Sequence, residues 1–124
     1  MGFFMNIEKL QQYGQAWNDH DIEAIMSLMT HDCTFDTGGG AERYGTRYQG
    51  QEAVRSRFIE VWTDLPDVRF EYLGDFVQGD SGYSEWTFTG TTKSGQKIEV
   101  DGCDLFTFEN GMIKSKRSYL KNRS

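Results

Sequence analysis

The sequence predicts an α+β fold, and three observations carry that prediction. Apolar residues recur at helical spacing in several segments before Pro66. After Pro66 they alternate with polar residues, as on a strand with one buried face. The turn signals Gly79-Asp-Ser-Gly82, Lys93-Ser-Gly95-Gln and Asn110-Gly111 then cut this second half into four stretches that can pair as neighbours. Helices first and antiparallel strands afterwards is the α+β order.

Taken in order, Ile7, Leu10, Gly14 and Trp17 form one helical face, with Tyr13 beside them. Asn6 serves as N-cap, so the first helix runs from about Asn6 to about Asn18. Asp19 and Asp21 cap a shorter second helix carrying Ile22, Ile25, Met26 and Met29. Cys33 to Thr37 alternates as a short strand, preceded by His31 and Asp32 in an exposed turn and ended by Gly38-Gly39-Gly40. A loop rich in glycine and tyrosine, with Tyr44, Arg47 and Tyr48, leads to Gly50. A third helix presents Val54, Phe58, Val61, Trp62 and Leu65, and Pro66 closes it. Four strands follow: Val68, Phe70 and Tyr72 on one face; Trp86 and Phe88 on the next; Ile98 to Phe108; and Met112 to Leu120. A curved sheet wrapped around three helices would bury these aromatics.

Composition narrows the function. With 124 residues, 37% hydrophobic and 15% aromatic, the chain can build one core, and we read residues 1–124 as one domain. A net charge of −6, with scattered basic residues apart from Lys114-Ser-Lys116-Arg117 and the tail from Lys121 to Arg123, argues against nucleic acid. No apolar run approaches the ~20 residues of a membrane span. The opening lacks the features of a signal peptide, and Asn6 breaks the myristoylation pattern at Gly2. Cys33 and Cys103 read as two buried, reduced thiols in a cytoplasmic protein, where the sequon Asn122-Arg123-Ser124 has no use. His20, His31, Cys33 and the nearby aspartates lack metal-ligand spacing, and no phosphate loop, nucleophile elbow or dinucleotide fingerprint occurs. No metal and no cofactor is expected.

One residue is out of place. In Val100-Asp-Gly-Cys-Asp-Leu-Phe-Thr-Phe108, alternation puts Asp104 on the same face as Phe106 and Phe108. A carboxyl among aromatics is desolvated and favours its neutral form, which can donate a hydrogen bond; pairing with a buried base, or capping a neighbouring backbone amide, is the structural alternative.

Several stretches resemble one family. Tyr13 to Thr37 (Y-G-Q-A-W-N-D-H-D-I-E-A-I-M-S-L-M-T-H-D-C-T-F-D-T) resembles the opening of the ketosteroid isomerases without a gap. Asp104-Leu-Phe106-Thr-Phe108, followed by Gly111 and Ile113, resembles a pattern near the end of many members of the NTF2-like superfamily, in its SnoaL-like polyketide cyclase and ketosteroid isomerase branches. The resemblance implies a cone-shaped (cystatin-like) fold whose concave sheet and three N-terminal helices enclose an apolar pocket. It implies that Asp104 and Tyr13 polarise a carbonyl oxygen as an oxyanion hole, as in the isomerase case. The isomerases' second carboxylate, their base, falls on Thr37 here. Asp36, one residue away, would serve only if a bulge turned it inward; a bound water is the other choice. Lys116 stands where the isomerases have an apolar residue. Either it faces the pocket with Met112, Ser118 and Leu120 and pairs with Asp104, or the register differs by one and Arg117 and Tyr119 point in. Trp17, Phe58, Trp62, Trp86, Phe88 and Phe106 are either pocket walls or plain core. The implied function is binding of a small apolar molecule with a carbonyl, with cofactor-independent isomerase or cyclase chemistry by proton transfer next to it. The alternative is a non-catalytic module that homodimerises through an outer sheet face carrying Leu105, Thr107 and Tyr119. Epoxide hydrolysis, found in another branch, would need an inward arginine, and none is evident.

Overall fold

Asn6 and Asp21 start the first two helices as their side chains predict: Asn6 accepts the Lys9 amide at 2.8 Å and Asp21 that of Ala24 at 3.1 Å. In the computed structural model, which describes residues 4–122, the chain runs α1 (Ile7–Asn18), α2 (Ile22–Ser27), β1 (Met29–Asp36), β2 (Arg47–Gln49), α3 (Gln51–Asp64), β3 (Arg69–Gln78), β4 (Ser81–Thr91), β5 (Lys97–Glu109) and β6 (Met112–Leu120). Gly2 and the last two residues of the tail and sequon lie outside the described residues.

One six-stranded sheet has the order β2-β1-β6-β5-β4-β3. β3 to β6 form an antiparallel meander, while β1 joins it parallel to β6, so the sheet is mixed at that one seam. Two stretches differ from expectation. Met29 belongs to β1 and not to the second helix, because the Ile113 amide bonds to the Leu28 carbonyl at 2.8 Å and draws the chain into the sheet. His31 and Asp32 are exposed, as expected, but within that longer strand. The glycine-tyrosine loop contains β2, whose three residues pair with β1 alone and are too few to show a period.

Bulges bend the sheet. Between Tyr72 and Gly74, β3 carries one residue more than β4; between Ile113 and Ser115, β6 carries one more than β5. The helices fill the concave side. Gly14 lets α1 approach β3: a Cβ there would sit 2.9 Å from the Tyr72 ring. At the end of α1 the Asn18 amide bonds both the carbonyl (2.9 Å) and the N–H (2.7 Å) of Phe70, which covers part of an edge strand. The core contains Leu10, Ile25, Val54, Phe58, Phe106, Phe108 and Ile113. Cys33 is buried in it, but Cys103 is half-buried, because its strand position faces away from the helices beside Asp104, which faces in. Among the described residues no helix is long and apolar enough to cross a membrane.

Candidate functional site

The bulge in β6 decides which side chains of the last strand enter the cone. Ile113 is fully buried, and strict alternation from it would carry Ser115 and Arg117 inward. The extra residue reverses the parity. Lys116, Ser118 and Leu120 therefore line the interior, while Arg117 and Tyr119 face out. Met112 lies on the far side of the bulge, so it does not continue the Lys116 face.

Lys116 lies between Phe35 on β1 and Phe106 on β5 in the sheet register. Its ammonium sits over the rings of Trp17 (4.5 Å), Phe58 (5.1 Å), Tyr13 (5.2 Å) and Phe35 (5.6 Å). Its polar contacts are long: 3.4 Å to Tyr13 Oη and 3.6 Å to Asp104 Oδ2. Both charged side chains are only 6% exposed. Burial pushes the Lys116 ammonium below the ordinary lysine range, and the charge and hydrogen bond of Asp104 only partly offset this.

Asp104 is held more tightly. Ser118 Oγ lies 2.6 Å from Oδ1, and Trp86 Nε1 donates to Oδ2 at 3.0 Å. Indole N–H and ammonium have only hydrogens to give, so Oδ2 is an acceptor. At Oδ2 the carboxyl accepts from the indole and lies 3.6 Å from the Lys116 ammonium, while Oδ1 faces the Ser118 hydroxyl. Gly102 leaves room for this: a Cβ at that point of β5 would meet the Tyr119 carbonyl oxygen at 2.5 Å and the Trp86 ring at 2.8 Å. Tyr13 does not face Asp104 across open space, because Lys116 lies between them and Met29 Sδ takes the other contact of the phenol at 3.8 Å. Burial raises the Tyr13 pKa well above the ordinary tyrosine value. The nearby Trp17 indole tempers the rise without completing a hydrogen bond, and the Asp104 charge adds to it.

A cavity of about 220 Å³ opens over this pair. Trp17, Phe35, Phe70, Trp86, Phe88 and Leu120 give it apolar walls; Lys116, Asp104, Ser118 and Thr37 supply polar groups. Arg57 and Asp64 of α3 also line it, so the arginine the sequence did not reveal is present. Donors here lack acceptors: among the described residues, Trp17 Nε1 and Arg57 Nε are buried with no hydrogen-bond partner. Of the residues expected as walls, Trp17, Trp86 and Phe88 border the cavity. Phe58 and Phe106 are core beneath it, and Trp62 stacks on His20 outside it, with ring centroids 5.0 Å apart.

Asp36 lies elsewhere. The β1–β6 register runs unbroken from Thr34 to Asp36, so no bulge turns this residue inward. It borders a second, polar cleft of about 340 Å³ on the outer side, with Arg43, Tyr44, Arg47, Arg117 and Tyr119. There Arg47 clasps it with two bonds, at 2.8 and 2.9 Å, and stacks on Tyr44. Thr37 lines both hollows. The sequence reading missed Phe35 and Phe70 as lining residues; it placed Ser118 and Leu120 in the pocket with Lys116 in one of its two registers, the one the bulge selects.

Three solved structures share this architecture. TerC, co-crystallised with polyporic acid, is 23% identical over 93% of this chain and 90% of its own, with a TM-score of 0.80. A protein with a ketosteroid isomerase-like fold from Catenulispora acidiphila, in complex with trimethylamine, is 18% identical over 93% and 86%, at 0.80. A proposed SnoaL-like polyketide cyclase from a Jannaschia species is 17% identical over 93% and 84%, at 0.81. At these identities the likeness speaks for the fold, which is NTF2-like. No protein in the curated comparison matches the sequence. The family profile described as SnoaL-like domain matches residues 10–116, from within α1 to Lys116 in β6; the chain belongs to the SnoaL-like domain family.

Proposed function

We propose that this protein binds a small, largely apolar molecule bearing a carbonyl or similar acceptor oxygen, with that oxygen directed at Lys116. The observation that carries this reading is the set of unfilled donors around an aromatic cavity. Among the described residues Trp17 Nε1 has no acceptor, and the Lys116 ammonium has only long contacts. Buried donors are rarely left so, and a ligand oxygen would satisfy them. At about 220 Å³ the cavity suits a molecule smaller than the ~300 Å³ at which typical ligand pockets begin. Two neighbours of the same fold were crystallised with small molecules, which supports the same use of the cone. A cation over the carbonyl oxygen favours proton transfer from the adjoining carbon, the chemistry of an isomerase or cyclase. Asp104 is the buried carboxylate available as base inside the cavity; Asp64 lines it from an exposed position on α3, and Asp36 is outside it.

Titrating the tryptophan fluorescence with acetophenone tests this. Saturable quenching that weakens at least about tenfold in Lys116→Met supports it, an effect the size of one charge-assisted hydrogen bond. Quenching that is non-saturable, or equal in the variant, refutes it. The non-catalytic reading rests on the outer face, where Tyr119 is 50% exposed and Thr107 is also exposed. Sedimentation decides whether that face pairs two copies, with Tyr119→Lys expected to give a monomer.

A further inference from the structure

Lys116 is a primary amine on the wall of the cavity, and carbonyl compounds react with primary amines. We infer that Lys116 condenses with the carbonyl carbon of the ligand to form a protonated imine, so the ligand is an aldehyde or ketone held covalently. This rests on the carbonyl-binding reading above.

Four features of the site fit the step. First, the amine is free to move toward a ligand, because neither of its polar contacts is shorter than 3.4 Å. Second, a proton acceptor is in place: Asp104 is 3.6 Å away and is itself fixed by Trp86 and Ser118. Third, the four rings around Nζ suit the product as well as the starting ammonium, since both carry one positive charge. Fourth, burial weakens the hold of the amine on its proton, as for Schiff-base lysines in apolar pockets.

The step balances without an added reagent. The ammonium passes a proton to Asp104. The amine lone pair forms a C–N bond as the carbonyl π pair moves to oxygen, which takes up one proton from the new C–N–H group. Asp104 then returns its proton to the hydroxyl, which leaves as water while C=N⁺ forms. Ammonium and carbonyl have become iminium and water, and Asp104 is again a carboxylate. The iminium acidifies the neighbouring C–H bond with Asp104 beside it. A proton-transfer reaction thereby becomes possible without a carboxylate at the end of β1.

Trapping tests the inference. The full chain is incubated with benzaldehyde and cyanoborohydride, then digested and mapped by mass. The expected result is one benzyl group on Lys116 well before the solvent-facing lysines, such as Lys93 and Lys121, with loss of that label in Lys116→Arg, which keeps a cation and removes the amine. Because the map is made on the unaltered chain, the result does not depend on the variant folding. Saturable quenching by benzaldehyde with labels spread over the exposed lysines and none on Lys116 overturns the imine and leaves the carbonyl-binding reading standing. Absence of both quenching and Lys116 label overturns the two together.

Discussion

Asp36 and Asp104 each answer to a cation, on opposite sides of one sheet. Asp36 meets Arg47 through two bonds below 3 Å, and the arginine remains 43% exposed. Asp104 meets Lys116 at 3.6 Å, with both side chains only 6% exposed. The better geometry is thus in the wetter place. The Asp36 side chain is itself only 6% exposed, so the pairs differ in their cations; a pair whose cation stays in solvent can be bidentate and still contribute little, because solvent and salt screen it. A pair in an aromatic interior is strongly coupled even when stretched, and its stretched geometry leaves hydrogens for something else. The first pair secures β2 to β1. The second has the features of a site.

The largest break in this comparison is Asp104→Ala. It strands the Lys116 ammonium and removes the acceptor of Trp86 Nε1 and the partner of Ser118. A loss of about 3–5 kcal/mol in urea unfolding is expected, the cost of an uncompensated buried charge. A loss no larger than that of Asp36→Asn would show that burial of the cation is not what separates the pairs. Next in size is the cycle that removes both partners. Asp104→Leu with Lys116→Met is expected to recover most of the single-mutant losses, leaving a coupling of about 2 kcal/mol or more. Additive losses would mean the two groups are independent.

Most of the fold was legible because its signals are local. The caps at Asn6 and Asp21, the stop at Pro66 and the Asn110-Gly111 turn each act over a few residues, and each works in the structure. The site was legible only where parity was unbroken. Asp104 shares its inward face with Phe106 and Phe108 because β5 runs straight between them. Lys116 stayed open between two registers because the bulge at Lys114 is a property of pairing with β5, not of the residues in β6 alone. Arg57 was hidden for another reason: α3 gives up only Val54 and Phe58 fully to the core, so a charged residue on its flank reaches the cavity without disturbing the apolar stripe. Gly102 was the unread clue, a glycine inside a strand where the Trp86 ring needed room.

A pH series sharpens the comparison further. Burial lowers Lys116 in the fold relative to the unfolded chain, so the fold sheds this proton first. Stability should therefore rise with pH in the window between the lowered value and the ordinary 10.5, and be lost as pH falls through the lowered value. The slope from one such proton is at most about 1.4 kcal/mol per pH unit. Burial raises Tyr13 and Tyr72, with the opposite sign: their contribution is complete below about 10 and lost above it as the unfolded chain ionises. In urea unfolding across this range, Lys116→Met should abolish the rise and Tyr13→Phe should lessen the fall. A rise that persists in Lys116→Met assigns it to another group.

The smallest effect belongs to the outer pair. Asp36→Asn keeps the size of the side chain and can still accept a hydrogen bond from Arg47, while losing the charge. Because Arg47 is 43% exposed, the expected loss is about 1 kcal/mol or less and shrinks as salt is raised. Asp36 borders the outer cleft and not the aromatic cavity, so acetophenone quenching and benzyl transfer to Lys116 should match the unaltered chain. A large drop in either would place Asp36 in communication with the pocket through Thr37, Gly38 and Ser118, which line both hollows, and would mean that the two pairs work as one unit across the sheet.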